Sequence, residues 1–225
     1  MTSEDTVRSA SRIWSLIWIP AVISLGMTLI RLTGELLHWS EMWFSTATGG
    51  VVPVGLSWFF GITWLPLPFG IYFALRLRSA NQGPPSRARA VGLSFLGAVL
   101  ALAGLFLYRP PIDFPVVLLY MWAVMAVGAA VQFLAWPELA RVMSAYGLAA
   151  RIPVVVVMSL AMLGNWGTHY DYVGMPVPFQ MPFWPGFFWL AFFPQLIFWV
   201  SYTIVLGVLS GSIALASVRS AGGTD

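Results

Sequence analysis

The 225-residue chain contains no cysteine and no lysine, and it has only two histidines, His38 and His169. Without cysteine there can be no disulfide exchange, thiolate catalysis or iron–sulfur cluster. Without lysine there can be no Schiff base to retinal or to pyridoxal phosphate. Two histidines are too few for a His-rich di-iron site, and they limit the chain to one metal ion or one haem.

Charged residues are also scarce. Charged residues make up 8% of the chain and hydrophobic residues 59%, with a mean hydropathy of +0.83. Ordinary globular domains carry roughly 25% charged residues. So few charges could not cover the surface of a soluble fold, and such an apolar chain would not stay disordered. The composition therefore predicts an integral membrane protein, with the lipid bilayer as its main partner and no role in binding nucleic acid.

Six apolar stretches are long enough to cross a bilayer core, which takes about 20 residues of helix. Their continuous hydrophobic runs favour helices over the alternating pattern of a β-barrel. We therefore predict an all-α polytopic protein with one transmembrane domain over residues 1–225. The predicted spans are 13–32, 53–75, 91–108, 116–136, 149–166 and 185–216.

The arginines are distributed unevenly over this six-span arrangement. Two of the eleven, Arg31 and Arg109, fall on one side. Cytoplasmic loops are enriched in Arg and Lys, so the pattern predicts that both termini are cytoplasmic. A composition with arginine but no lysine suits a GC-rich bacterial genome and hence an inner membrane. The other nine are Arg8, Arg12, Arg76, Arg78, Arg87, Arg89, Arg141, Arg151 and Arg219.

Two predicted spans contain proline near mid-depth. Pro66 and Pro68 interrupt the second span, and Pro194 precedes Gln195 in the sixth. Proline removes a backbone donor, so both helices should kink. Broken helices often line binding cavities in transporters, and packing between kinked helices is the alternative interpretation.

The remaining features of the spans are milder. Gly207 and Gly211 form a G-x-x-x-G pattern that allows close helix approach, either within the chain or to a second copy or a membrane partner. The segment 137–151 has helical spacing after a proline and is predicted to be an interfacial helix. No ionisable residue falls near the middle of a predicted span, which argues against a proton-coupled pump or a carrier of charged substrates.

The polar residues that follow the first span form the most informative cluster. At 100° per residue, Thr28, Arg31, Glu35, His38 and Glu41 share one arc of a helical wheel. This predicts that the first helix continues as an amphipathic helix to about Phe44. Arg31 and Glu35 are four residues apart and can form an ion pair.

Glu35 and His38 also form an E-x-x-H pattern, whose spacing places a carboxylate and an imidazole on one helix face. His169 and Asp171 fall on the same side of the membrane, so these residues and Glu41 are candidate ligands for one metal ion. The same groups could instead form a general acid/base set or a structural polar cluster.

No P-loop, dinucleotide-binding, H-E-x-x-H or EF-hand motif is present. The leading interpretation is therefore binding or passage of an uncharged or amphiphilic small molecule, or a non-catalytic role in a membrane complex, with no resident cofactor. The alternative is a membrane-embedded enzyme with an outward-facing metal or acid/base site. A third interpretation is a pigment or haem carrier ligated by His38 and His169.

Overall fold

The computed structural model describes residues 3–46, 56–106, 115–172 and 181–218, and these residues form helices joined by turns and short 3-10 segments. We number six helices in chain order. They are α1 (Ser3–Leu36), α2 (Pro66–Ser79), α3 (Arg87–Phe106), α4 (Val116–Ala135), α5 (Pro137–Gly164) and α6 (Phe183–Ser217).

Five of the six helices, all except α2, are long and apolar enough to cross a membrane. In α1 the apolar part is Ser11–Leu36. The prediction of an all-α polytopic membrane protein is thus confirmed. The prediction of one transmembrane domain stays a prediction, as do the membrane concerned and the side on which the termini lie.

The second predicted span, 53–75, differs most from what was expected. Residues 53–55 lie outside the described part, a 3-10 turn covers Ser57–Phe60, and α2 begins only at Pro66 and has 14 residues. Pro66 and Pro68 therefore lie in the first turn of α2, where the missing amide donors are not needed. The break is a helix start and not a kink in a continuous helix.

Helix α5 corrects a second prediction. The segment 137–151 is not a separate interfacial helix, because Pro137–Gly164 forms one continuous helix of 28 residues with Pro153 inside it. Pro137 occupies the first helical position, which suits proline. Arg151 consequently lies in the middle of a helix and not in a cytoplasmic connection.

Helix α1 ends earlier than the helical wheel predicted. It stops at Leu36, and His38 has a left-handed backbone conformation with φ of 50°. The amide of Trp39 donates back to the carbonyl of Gly34 at 2.9 Å. Gly34 also lets Phe44 fold back, because a Cβ at position 34 would collide with that ring. The amphipathic helix to Phe44 was therefore a wrong prediction.

Helix α6 contains two π-helical stretches in succession, Phe187–Phe192 and Pro194–Trp199, before α-helical geometry resumes at Val200. Proline at 194 lacks an amide donor, which favours a local change of hydrogen-bond register. The helix irregularity predicted for the span 185–216 is therefore present, in the form of π-helical turns. π-Helical turns are rare and are often found at functional sites.

The helices group into two compact units. Unit 1 comprises Met1–Leu65 and Tyr146–Val200, and unit 2 comprises Pro66–Ala145 and Ser201–Asp225. Unit 1 thus holds α1, the second part of α5 and the π-helical part of α6. Unit 2 holds α2, α3, α4, the first part of α5 and the end of α6.

Small residues bring the helices of unit 2 together. A Cβ at Gly97 in α3 would lie 2.7 Å from the carbonyl oxygen of Gly128 in α4. Gln132 is fully buried, and its amide nitrogen donates to the carbonyl of Ser94 at 3.2 Å. Unit 2 is therefore packed by direct backbone contact, as small residues permit in membrane helices.

The predicted G-x-x-x-G pair belongs to this packing. A Cβ at Gly211 would lie 2.7 Å from the carbonyl oxygen of Gly70, and Gly70 itself approaches the backbone of Gly207. Both glycines of the motif are buried within unit 2. Their close contact is therefore made inside the chain, and association with a second copy or a membrane partner stays a prediction.

Candidate functional site

The candidate site in unit 1 is centred on Glu35, in the last turn of α1. The side chain of Glu35 is 0% exposed although it carries an acid. Arg31, one turn earlier, donates from Nε to Oε1 of Glu35 at 2.9 Å. A buried carboxylate needs charge partners and hydrogen-bond donors to offset the loss of hydration, and Arg31 supplies the first of these.

His169 supplies the remaining contacts from the turn after α5. Its backbone amide donates to Oε2 of Glu35 at 3.0 Å. Its ring nitrogen Nδ1 lies 2.6 Å from Oε1 and 2.7 Å from Oε2. The carboxylate of Glu35 thus contacts Nε of Arg31 as well as the backbone and the ring of His169.

A capped 3-10 turn, His169–Asp171, fixes the position of this histidine. Asp171 accepts hydrogen bonds from the amides of Gly167 and Thr168, both at 2.8 Å. The hydroxyl of Thr168 accepts from the amide of Tyr170 at 3.3 Å, and Thr168 and Asp171 together form a capping box. Gly167 has φ of 71°, a conformation in which glycine is favoured.

The contacts define the protonation state of the imidazole ring. Glu35 accepts a hydrogen bond from Arg31 and, as a carboxylate, offers only acceptor atoms, so we infer that Nδ1 of His169 carries the proton and donates to it. Burial lowers the pKa of His169 below its ordinary value of 6.5, against the opposing hydrogen bond to Glu35, and the charge of Arg31 lowers it further. At neutral pH the ring is therefore neutral, and Nε2 has a lone pair that can accept a proton.

Two tyrosines continue the polar contacts along the buried side of α1. The hydroxyl of Tyr170 donates to the carbonyl of Thr28 at 3.2 Å. The hydroxyls of Ser24 and Tyr146 lie 2.8 Å apart, and Ser24 also donates to the carbonyl of Pro20. Residues 24, 28 and 35 are almost fully buried. Their spacing of four and seven residues keeps them on one face of the helix.

Arg151 is the second buried charged residue of unit 1, with 4% exposure. Its Nη1 donates to Oε1 of Gln195 at 3.2 Å, and its guanidinium lies 4.8 Å from the centre of the Trp199 ring. Gln195 also donates to the sulfur of Met158 at 3.5 Å. The prediction that no ionisable residue lies near the middle of a span was therefore wrong for α5, which carries this arginine at its centre.

The five candidate metal ligands do not come together as a group. The structure joins Glu35 and His169, while Asp171 caps its own turn, and His38 and Glu41 are exposed beyond the end of α1. Over the described ranges, no three His, Asp or Glu residues are placed to hold a metal ion. The arrangement has the geometry of an acid/base pair, in which a carboxylate orients an imidazole.

The helix breaks fall in different units. Pro66 and Pro68 belong to unit 2, whereas Pro194 and Gln195 belong to unit 1. Of these four, Gln195 is the residue that contacts a buried charge. The role of the breaks in lining a cavity stays a prediction.

Sequence reasoning missed Tyr146, Tyr170 and Arg151 as members of the polar network. Tyr146 occurs among small and apolar residues, where a ring is usually packing material, and Tyr170 stands between His169 and Asp171, which were themselves the candidate ligands. A signal for Arg151 was present in the proline at 137, which marks a helix start 14 residues earlier. A helix that begins there and continues through Pro153 places Arg151 inside it.

Comparisons with known proteins give no match for this chain: no family model, no curated protein and no solved structure is similar to it. The function must therefore be argued from the site alone.

Proposed function

We propose that this multi-pass membrane protein binds an amphiphilic small molecule and transfers a proton to or from it at His169. The observation that supports this most directly is the buried carboxylate of Glu35, which contacts Nδ1 of His169 and Nε of Arg31. A carboxylate on Nδ1 orients the ring and stabilises the imidazolium that forms when Nε2 accepts a proton. The side chain of His169 is 22% exposed, so the ring is partly accessible.

The proposal corresponds to the acid/base form of an outward-facing membrane site, with no metal ion. In it, His169 accepts a proton at Nε2 from an O–H or N–H group of the bound molecule. Glu35 stays ionised and keeps the ring in place, and Arg31 holds Glu35. A general base is most effective when its pKa lies near the working pH and the base form predominates. The lowered pKa of His169 meets the second condition at neutral pH.

Modification with diethylpyrocarbonate tests the proposal, because this reagent reacts with an unprotonated imidazole nitrogen. The chain has two histidines, so His38→Asn leaves His169 as the single target, and asparagine tolerates the left-handed conformation at position 38. We expect His169 to be modified at pH 7, with the rate falling as the pH decreases below 6.5. A His169 that stays unmodified in the folded protein at pH 7 would contradict the proposal.

Glu35→Gln on the His38→Asn background is the matched variant. It keeps the size of the side chain but removes the charge that orients and stabilises the ring. We expect a changed reactivity and pH profile of His169 in this variant. Glu41→Gln on the same background serves as the control, because Glu41 is exposed beyond the helix end.

Passage of an uncharged or amphiphilic molecule across the bilayer is a second candidate. It is favoured by the two π-helical stretches of α6 and by the contact of Gln195 with the buried Arg151. Exchange of an NBD-labelled phosphatidylcholine between leaflets of proteoliposomes, measured by dithionite quenching, tests it. A rate no higher than in protein-free vesicles would count against passage of this lipid.

A further inference from the structure

The side chain of Arg31 makes only part of the contacts that a guanidinium can make. Its Nε donates to Glu35, whereas Nη1 and Nη2 have no hydrogen-bond partner among the residues that the structure describes. The side chain of Arg31 is 14% exposed. Its two NH₂ groups, which we call the guanidinium fork, are therefore neither in bulk water nor fully enclosed. A guanidinium whose two NH₂ groups have no partner among the described residues suits two oxygens of one anionic group.

Gly61 lies beside the NH₂ groups of Arg31. Gly61 follows the 3-10 turn Ser57–Phe60, and a Cβ at that position would lie 3.4 Å from Nη1 of Arg31. A larger side chain at position 61 would therefore reach the guanidinium. Glycine at this position places no side chain against Nη1.

The same oxygen of Glu35 links the fork to the histidine. Oε1 contacts Nε of Arg31 at 2.9 Å and Nδ1 of His169 at 2.6 Å. A molecule bound by the NH₂ groups of Arg31 would thus lie close to the imidazole ring. One buried carboxylate positions both a group that can bind an anion and a group that can accept a proton.

Aromatic side chains surround this end of α1. Phe44 packs against Gly34, the residue before Glu35, and stacks on Phe60 with ring centres 4.7 Å apart. Trp43 contacts Phe60 edge to face at 5.9 Å, and Trp39 meets Phe44 at 5.2 Å. Both tryptophans are more than a third exposed. Tryptophan favours the boundary between lipid and water, where an apolar chain can lie beside a polar head.

From this juxtaposition we infer that the site takes an amphiphile with an anionic headgroup, phosphate or carboxylate, whose oxygens bind Nη1 and Nη2 of Arg31 beside His169. The apolar part of the molecule lies against the aromatic cluster of Trp39, Trp43, Phe44 and Phe60. This inference rests on the proposed function, because it names the substrate class of the same site.

Thermal unfolding of the purified protein in a neutral detergent tests the inference without using the chemistry of His169. A ligand that binds the folded state raises the unfolding temperature in a concentration-dependent manner. The probes are dodecyl phosphate, dodecanol and inorganic phosphate. We expect a saturable rise with dodecyl phosphate and little with dodecanol. An equal rise with inorganic phosphate would show a free-anion site and overturn the amphiphile, and no rise with dodecyl phosphate would overturn the inference.

Arg31→Lys locates the site while preserving the ion pair with Glu35 at the same spacing. Lysine lacks the fork, so we expect the concentration of dodecyl phosphate for half of the shift to rise about tenfold. Arg141→Lys is the matched control, because Arg141 is an exposed partner of Glu138 with a side-chain exposure of 64%. An unchanged half-shift concentration in Arg31→Lys, or an equal change in both variants, would overturn the assignment to Arg31.

Protection from diethylpyrocarbonate separates the two proposals. If dodecyl phosphate slows the modification of His169 in the His38→Asn protein, anion and imidazole share one site. If His169 reacts in the absence of ligand but dodecyl phosphate neither shifts unfolding nor protects, the inference fails and the acid/base proposal stands. If dodecyl phosphate binds and His169 never reacts, the acid/base proposal fails and the anion site stands.

Discussion

The two units of this protein bury their helices by different chemistry. Unit 1 holds both of the charged side chains that are buried in the described residues, Glu35 and Arg151, together with a row of hydroxyl groups. Unit 2 instead relies on glycines such as Gly97 and Gly128, which allow backbones to touch. A polar group buried among helices is costly unless its partners are in place. Close glycine packing carries no such cost and no reactive group.

The difference between the two units indicates that the functional groups are to be sought in unit 1. Unit 1 carries buried charges whose partners must be maintained, whereas unit 2 buries neutral polar groups such as Gln132 beside contacts that depend on the absence of side chains. Changes that break one kind of packing should therefore have different signatures from changes that break the other.

Glu35→Ala should have the largest effect. It leaves Arg31 and the amide of His169 without their acceptor, and loss of one partner of a buried pair costs about 3–5 kcal/mol. Tryptophan fluorescence during heating, in detergent, measures the loss of stability. Glu41→Ala is the control and should unfold near the wild-type temperature. Equal stability of the two variants would show that the buried cluster does not hold unit 1 together.

Gly97→Ala should have a smaller effect, confined to unit 2. The added methyl would meet the carbonyl oxygen of Gly128 at 2.7 Å, and overpacking of this kind costs about 1–3 kcal/mol. Gly92→Ala in the same helix is the matched control, since a Cβ there has no neighbour within 4 Å. Alanine at position 92 should be neutral or stabilise by up to about 1 kcal/mol. If both variants behave alike, close glycine contact is not what holds α3 against α4.

A decrease in pH should have the smallest effect on stability, and this effect should arise in unit 1. The pKa of His169 is lowered in the folded protein, so below pH 6.5 the unfolded chain binds more protons than the folded chain. Stability should therefore be constant above about pH 7.5 and fall as the pH decreases through 6.5, by at most about 1.4 kcal/mol per pH unit from this group. His169→Gln should remove that part of the slope. A wild-type slope that persists in the variant would assign it to other groups.

Composition and periodicity were sufficient for the membrane class and the all-α fold, because hydrophobic runs report directly on helices in lipid. The i, i+4 pair of Arg31 and Glu35 was also predicted, since both residues lie within one helix. His38 was misplaced because a wheel assumes that the helix continues, and the fold-back of Phe44 over Gly34 ends it.

Contacts between residues that are far apart in the sequence could not be predicted from composition and periodicity. The contact of Glu35 with His169 joins residues 134 positions apart, and periodicity within one segment carries no information about it. Arg151 was misplaced for a related reason. A charge next to a proline resembles a helix end in sequence, whereas Gln195 and Trp199 of another helix make its position inside α5 tolerable.

Determination of the His169 tautomer is the most direct test of the proposed site, because the site depends on the carboxylate of Glu35 holding the proton on Nδ1. ¹⁵N NMR of the His38→Asn protein, labelled at histidine, reports the two ring nitrogens of a single residue. At pH 8 we predict a protonated Nδ1 and an unprotonated Nε2, with that preference weakened in the Glu35→Gln variant. A ring protonated at Nε2, or a spectrum that does not change when Glu35 is replaced, would contradict it.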